Sequence, residues 1–283
     1  MARLTSAGKS HRLSRLFDVD SGRSLIVPVD DSLIAGPIGG LAGLAETLRA
    51  IAGGRPNGVL GFPGHFEQHA DLLSSLGWIC NLTASTTRSV HTRKVPILTV
   101  RQAMALGVDC VAAHVNTTSR FESEMLQSLA VIIADARDLA VPVLAIMYPR
   151  REHGDDRDDN YESERTSNPE FFTELVCHAV RVAKDLGADV VKTQYTGSVE
   201  SFREVVASAK PLPVLIAGGP VRASSDALRM ASDALSAGAA GVSFGRNVHS
   251  VSNTGAMVRA LRGLVHEGLS CEAALDLAGV DEL

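Results

Sequence analysis

Residues 24–32 read Ser24-Leu25-Ile26-Val27-Pro28-Val29-Asp30-Asp31-Ser32. A β-branched apolar run without polar alternation is a strand covered on both faces, as in a parallel sheet. The residues just after the run separate two architectures. An open doubly wound sheet usually opens with Gly-x-Gly-x-x-Gly after its first strand. Here two aspartates and a serine stand there, and Gly39-Gly40-Leu41 comes too late with the wrong spacing. Outward from this stretch, similar runs recur at Gly58–Gly61, Trp78–Leu82, Asp109–Val115, Pro142–Met147, Asp189–Lys192, Val214–Ala217 and Ala240–Phe244. Helical periodicity fills the intervals, as in Leu41–Ala52, Ser119–Leu139, Phe171–Leu186, Ser201–Ala209, Ser225–Ala237 and Asn253–Leu264. Several of these segments close on Leu-Gly or Ala-Gly, a helix C-terminus signal. Eight strand–helix units of about 35 residues predict a single α/β (β/α)8 barrel over residues 1–283, with short helical extensions at both ends.

The composition has the balance of an ordinary soluble globular domain. Hydrophobic residues make up 45% and charged residues 21%, which excludes a mainly disordered chain. A net charge of -5 argues against nonspecific nucleic-acid binding, which needs a cationic face. No uncharged apolar run approaches the roughly 20 residues that span a membrane. The first 20 residues carry Arg3, Lys9, Arg12 and Arg15 without a long apolar stretch, so they read as an N-terminal extension with a short amphipathic helix rather than a signal peptide. Cys80, Cys110, Cys177 and Cys271 are far apart and form no Cys-x-x-Cys. They read as small buried hydrophobes in a cytoplasmic protein with no disulfide and no zinc. One stretch departs from this even balance. Residues 151–170, after the fifth strand, hold eight acids and three bases. They read either as a solvated surface loop or as a lid over the barrel mouth.

In a barrel the C-terminal ends of the strands carry the chemistry. Those ends hold Asp30 and Asp31, His114 and Asn116, Tyr148, Lys192, Gly218-Gly219 and Gly245-Arg246. Lys192 ends an otherwise interior run. Burying its ammonium requires either an ion-pair partner such as Asp30 or a lowered pKa, and a neutral amine is the nucleophile of Schiff-base catalysis. Tyr148 is either a proton donor or rim packing. Asp30 is either a proton shuttle or a turn residue. Gly218, Gly219, Gly245 and Arg246, after strands seven and eight, suit a phosphate. His114 and Asn116 are candidates to hydrogen-bond substrate hydroxyls, or else structural. Arg150 and Arg151 are either solvated or a site for a second anionic group. No His/carboxylate cluster has metal-ligand spacing, and no metal or cofactor is expected.

The segments Val190-Val191-Lys192-Thr193-Gln194-Tyr195-Thr196-Gly197, Met147-Tyr148-Pro149-Arg150, Ile216-Ala217-Gly218-Gly219-Pro220 and Phe244-Gly245-Arg246-Asn247 resemble the archaeal-type class I aldolases of the deoxyribose-phosphate aldolase superfamily. The resemblance runs in order from about Leu25 to Asn247. It implies a (β/α)8 barrel in a homo-oligomer, acting on a phosphorylated small molecule and an aldehyde. It further implies Lys192 as Schiff-base lysine, Tyr148 as proton donor or acceptor, Asp30 assisting, and Gly218, Gly219, Gly245 and Arg246 on the phosphate.

Three positions depart from the family pattern. Asp31 stands for the His that usually follows the first-strand Asp, Gln194 stands for Asn, and Arg151 for Gly. His114-Val115-Asn116 and Met147–Arg150 are more similar to the aspartate-semialdehyde-using synthases than to fructose-bisphosphate aldolases. Gly36-Pro37-Ile38 is similar to the branch that takes dihydroxyacetone phosphate to a C7 amino keto acid phosphate, a precursor of 3-amino-4-hydroxybenzoate. The alternatives are a fructose-bisphosphate aldolase, a 2-amino-3,7-dideoxy-heptulosonate synthase, a thiolase on the same scaffold, a phosphate-binding barrel isomerase and a non-enzymatic phosphate-ligand-binding barrel.

Overall fold

Eight parallel strands close on themselves in the computed structural model, which describes residues 6–153 and 158–279. They are β1 (Ser24–Pro28), β2 (Gly58–Gly61), β3 (Gly77–Asn81), β4 (Cys110–Thr117), β5 (Val143–Pro149), β6 (Val190–Thr193), β7 (Val214–Ala217) and β8 (Gly241–Ser243). Pairing of β8 with β1 shuts the ring. All eight expected runs are barrel strands. β4 and β5 reach two residues further than expected, because their ladder continues through Asn116 opposite Tyr148 and Thr117 opposite Pro149.

The runs lack polar alternation because both strand faces are covered, but the faces differ. Ile26, Leu60, Ile79, Leu144, Val190 and Leu215 pack together in the barrel interior, with Leu16 beside them. Their neighbours Val27, Val59, Cys80, Val191 and Ile216 pack outward under the helices. A period of two along each strand therefore carries the inward direction from Val190 to Lys192, from Ile146 to Tyr148 and from Ala112 to His114. In register, Lys192 lies opposite Ile146 on one side and Leu215 on the other.

The helix Pro169–Leu186 illustrates the outer ring. Asn168 caps it through its side chain, which accepts from the Phe171 N–H, Pro169 takes the first turn, and Gly187 ends it at φ 97. It thus starts two residues before the expected Phe171. Phe172, Val176, Ala179, Val180 and Ala183 form its buried stripe, and full burial of Phe172 contributes about 2–3 kcal/mol.

The N-terminal extension does more than its composition suggests. Its helix Ala7–Leu13 buries no side chain of its own. It is held instead by Lys9 Nζ to Asp189 Oδ2 at 2.7 Å, while Arg15 Nε reaches Asp109 Oδ1 at 2.8 Å. Those two acids stand just before β6 and β4, at the end of the barrel away from the strand C-termini. Of the cysteines, Cys80 and Cys110 are buried as expected, but Cys177 and Cys271 are only half-buried, and all four are free. Among the described residues no helix is long and apolar enough to cross a membrane.

Closure of the ring constrains Gly241. Its φ is +148, and a Cβ there would lie 1.9 Å from the Ser24 carbonyl oxygen. Gly241→Ala should cost about 3 kcal/mol or more, from backbone strain plus overpacking. A fall in the urea midpoint at unchanged slope is the expected readout.

Candidate active site

A cavity of about 260 Å³ opens at the C-terminal ends of the strands. It is lined by every residue expected there on chemical grounds except Asn116: Lys192, Tyr148, Asp30, Asp31, His114, Gly218, Gly219, Gly245 and Arg246. Asn116 instead donates its side-chain amide to the Thr92 carbonyl at 2.7 Å and so anchors the loop after β3. Its role is structural.

Lys192 is buried on the inward face of β6. Among the described residues no carboxylate lies within 4.0 Å of its Nζ, so the strand-end ion pair considered from sequence is not formed. Its charge is nonetheless felt by Asp30 and Tyr148. Asp30 occupies the cap position of the short helix Asp31–Ala35, yet its side chain makes no capping bond. It accepts instead from Asn81 Nδ2 at 3.2 Å. Burial raises its pKa, Lys192 opposes the rise, and Asp31 adds to it. Asp31 goes the other way. Burial would raise its pKa, but the His249 imidazole and the Arg246 charge outweigh that and hold it low. Its Oδ2 is 3.7 Å from Arg246 Nε and 3.9 Å from His249 Nε2. A histidine therefore does meet this aspartate, but it arrives from the segment after β8 and not from the next residue along the chain.

Tyr148 follows Ile146 and Met147 at the end of β5. Burial raises its phenol pKa, against the nearby charges of Lys192 and Arg150. The His114 ring meets it edge-on at 4.9 Å. Burial pushes the His114 pKa well down, so the ring is neutral, and its buried Nε2 has no hydrogen-bond partner.

Across the cavity, Gly219 turns at φ +70, a conformation that favours glycine. Asn247 pins this turn, donating to the carbonyls of Gly218 at 2.9 Å and Pro220 at 3.2 Å. Arg222 lies over it: its Nη2 would be 3.3 Å from a Cβ on Gly219, and its Nε is buried without a partner. With Arg246, this makes a two-arginine cradle beside exposed backbone, suited to an oxyanion. Sequence reading missed Arg222. The available signal was a cation two residues beyond the Gly-Gly-Pro turn.

It also missed Lys94, His91, Asn160 and Arg165. Lys94 is buried and lines the cavity. Its Nζ donates to Ser85 Oγ at 2.7 Å and lies 3.3 Å from His91 Nδ1. Burial, with the Arg150 charge, lowers its pKa to about 7. Nothing periodic marks this lysine in the sequence.

The acidic stretch is not simply a solvated loop. Arg151–Glu152 pairs antiparallel with Asp158–Asp159, and Glu162–Ser167 is helical. Tyr161 is buried with its hydroxyl donating to Thr118 Oγ1 at 3.0 Å. Asp158, Asn160, Glu162 and Arg165 form part of the cavity wall. Residues 154–157 of the stretch lie outside the described residues. Arg150 is buried and faces the cavity, whereas Arg151 is tied outside it to Asp159 and Glu164. Among the described residues no group of His, Cys, Asp and Glu is arranged to hold a metal ion.

The signature of the DeoC/LacD family aldolases matches residues 24–251. A 2-amino-3,7-dideoxy-D-threo-hept-6-ulosonate synthase of Halobacterium salinarum is 39% identical over 98% of this chain and 98% of its own. A 2-amino-4,5-dihydroxy-6-oxo-7-(phosphonooxy)heptanoate synthase of Streptomyces griseus is 36% identical over 96% of this chain and 95% of its own. Among solved structures, an archaeal fructose 1,6-bisphosphate aldolase is similar at a TM-score of 0.80 and 30% identity, covering 92% of this chain and 100% of that one.

Proposed function

Because the chain belongs to the DeoC/LacD family of aldolases, we propose that it condenses dihydroxyacetone phosphate with 2-amino-4-oxobutanoate (aspartate semialdehyde), giving a C7 amino keto acid phosphate. The enzyme is a lyase-type class I aldolase, which sets aside a non-enzymatic ligand-binding barrel. The observation that carries the mechanism is the convergence of Lys192, without an ion-pair partner among the described residues, with Tyr148 and Asp30 in one cavity.

The acceptor is supported by the chemistry of the two related products. An aldol bond joins the carbon next to the ketone to the new carbinol carbon. In both named C7 products the ketone is C6, so the bond is C4–C5. Cutting it leaves the same four-carbon amino aldehyde from each. The halves carrying C7 differ, one bearing a phosphonooxy group and the other a methyl. The two-arginine cradle at Gly219 supports a phosphorylated donor here.

In the reaction, the Lys192 amine adds to the donor ketone and loses water to form an iminium ion. This cation draws electrons from the neighbouring carbon, which gives up a proton and becomes an enamine. The enamine carbon attacks the aldehyde, and the new alkoxide takes a proton. Tyr148 and Asp30 are the groups in position to move these protons. Water then releases the product and restores Lys192.

Incubation with dihydroxyacetone phosphate followed by borohydride should label Lys192, and addition of 2-amino-4-oxobutanoate should yield the C7 product by mass. Cleavage of fructose 1,6-bisphosphate is the second reading, favoured by the 30% identical solved aldolase. Preference for glyceraldehyde 3-phosphate as acceptor would select it. Absence of any borohydride adduct with either donor would sink both.

The cradle makes its own prediction. Hydrogen bonds to charged groups are worth about 1.5–3 kcal/mol. Arg222→Ala should therefore raise KM for dihydroxyacetone phosphate roughly 10- to 100-fold. Turnover of hydroxyacetone, which has no phosphate, should be unchanged.

A further inference from the structure

The far end of the acceptor also needs a receptor, and the cavity wall opposite the phosphate cradle has the right charges for it. The cradle rises after β7 and β8. Two to four strands away around the ring, the segments after β3 and β5 bring Lys94 and Arg150 to the cavity, 3% and 9% exposed. They are close enough for each other's company to be unfavourable, since the Arg150 charge weakens protonation of Lys94. Among the described residues Lys94 has no carboxylate within 4.0 Å, and Arg150 has only a loose pair with Asp158. Lys94 rests on Ser85 Oγ and the His91 ring. Burial holds His91 down at about 3, so its neutral ring accepts from the ammonium. Arg150 Nε donates to Asn160 Oδ1 at 2.5 Å and lies 3.7 Å from Asp158 Oδ2, too long for a tight pair.

Arg150 beside the buried Lys94 disfavours the ammonium form of that lysine, and an anion joining the two restores it. Here a carboxylate entering the cavity would meet both. Asp158, beside Arg150 and on the same wall, offers the opposite charge to an ammonium. A phosphate tail would gain from the cations but be repelled by Asp158. An α-amino acid head group satisfies all three.

Resting on the proposed synthase reading, we propose that Lys94 and Arg150 receive the carboxylate of the acceptor aldehyde and Asp158 its ammonium, making this wall the specificity subsite for an amino acid semialdehyde.

The test uses the full chain with dihydroxyacetone phosphate as donor and three four-carbon aldehydes as acceptors: 2-amino-4-oxobutanoate, 4-oxobutanoate and butanal. Wild-type enzyme should prefer them in that order by kcat/KM. Lys94→Met should lower the two charged acceptors about 10- to 100-fold and leave butanal within about twofold. Asp158→Asn should lower only 2-amino-4-oxobutanoate. Borohydride labelling of Lys192 by the donor alone reports that each variant is folded and competent. If Lys94→Met does not fold, Ser85→Ala, which removes a hydrogen bond that orients Lys94, should show the same selectivity change at smaller size. Equal loss on all three acceptors, or no loss on any, overturns the subsite and leaves the synthase reading standing. Failure of wild-type enzyme to use 2-amino-4-oxobutanoate at all removes both.

Discussion

Lys192→Met is expected to lower aldolase turnover by on the order of 10⁴-fold or more and to abolish borohydride-dependent labelling by dihydroxyacetone phosphate. In the proposed reaction the iminium is the electron sink for every step, so no residue acting on protons alone replaces it. Met is chosen because it keeps the length and volume of the side chain in the barrel interior without a charge to solvate. Lys192 faces Asp30 and Tyr148 but has no ion-pair partner within 4.0 Å among the described residues. Its replacement therefore leaves no close partner stranded, and the urea midpoint should hold or rise. The competing amine is Lys94, whose pKa near 7 makes it a nucleophile at neutral pH. Position separates the two. Lys192 stands on a barrel strand between Asp30 and Tyr148, the groups proposed to move protons, whereas Lys94 sits in the loop after β3, occupied by Ser85 and His91. An adduct mapped to the Lys94 peptide, with Lys192→Met still labelled, would overturn the assignment.

How much of this was legible in the sequence depends on where each residue sits. Lys192, Tyr148 and Asp30 end apolar runs, and such runs betray a barrel strand whose next inward position is the site. The Gly218-Gly219 and Gly245-Arg246 turns come after the last two strands, where a phosphate is expected, and both line the cavity. The misses come from side chains that no period marks. Lys94 and His91 lie in the loop after β3 and become neighbours of Arg150 only when β3, β4 and β5 pair. His249 reaches Asp31 because β8 closes on β1. Asn116 misled for a related reason. It follows His114 by two and reads as a second substrate contact, but β4 runs on to Thr117, and the Asn116 amide is spent on Thr92. The acidic composition of residues 151–170 suggested exposure. Arg151 ties Asp159 and Glu164 together there, and Tyr161 anchors the segment beneath them.

Tyr148→Phe is expected to lower kcat by about 10²–10⁴-fold, the range for loss of one positioned proton donor or acceptor, while borohydride labelling of Lys192 persists. The substitution removes only the hydroxyl, so ring packing against His114 and the cavity shape remain. Burial raises the Tyr148 pKa above its usual 10.0. The phenol is then protonated across the whole neutral range, which suits the proposed role of donor to the new alkoxide, and wild-type kcat should show no basic limb from this group below that value. Asp30 is the rival for the same proton. Its pKa is raised by burial, so a carboxylate acting as base there would produce an acid limb above the ordinary carboxylate range, lost in Asp30→Asn. Retention of kcat in Tyr148→Phe, with collapse in Asp30→Asn, would assign the proton transfers to Asp30 and leave Tyr148 as packing. Loss of kcat in Tyr148→Phe with the acid limb intact would instead divide the work, with Asp30 taking the proton from the iminium and Tyr148 giving one to the alkoxide.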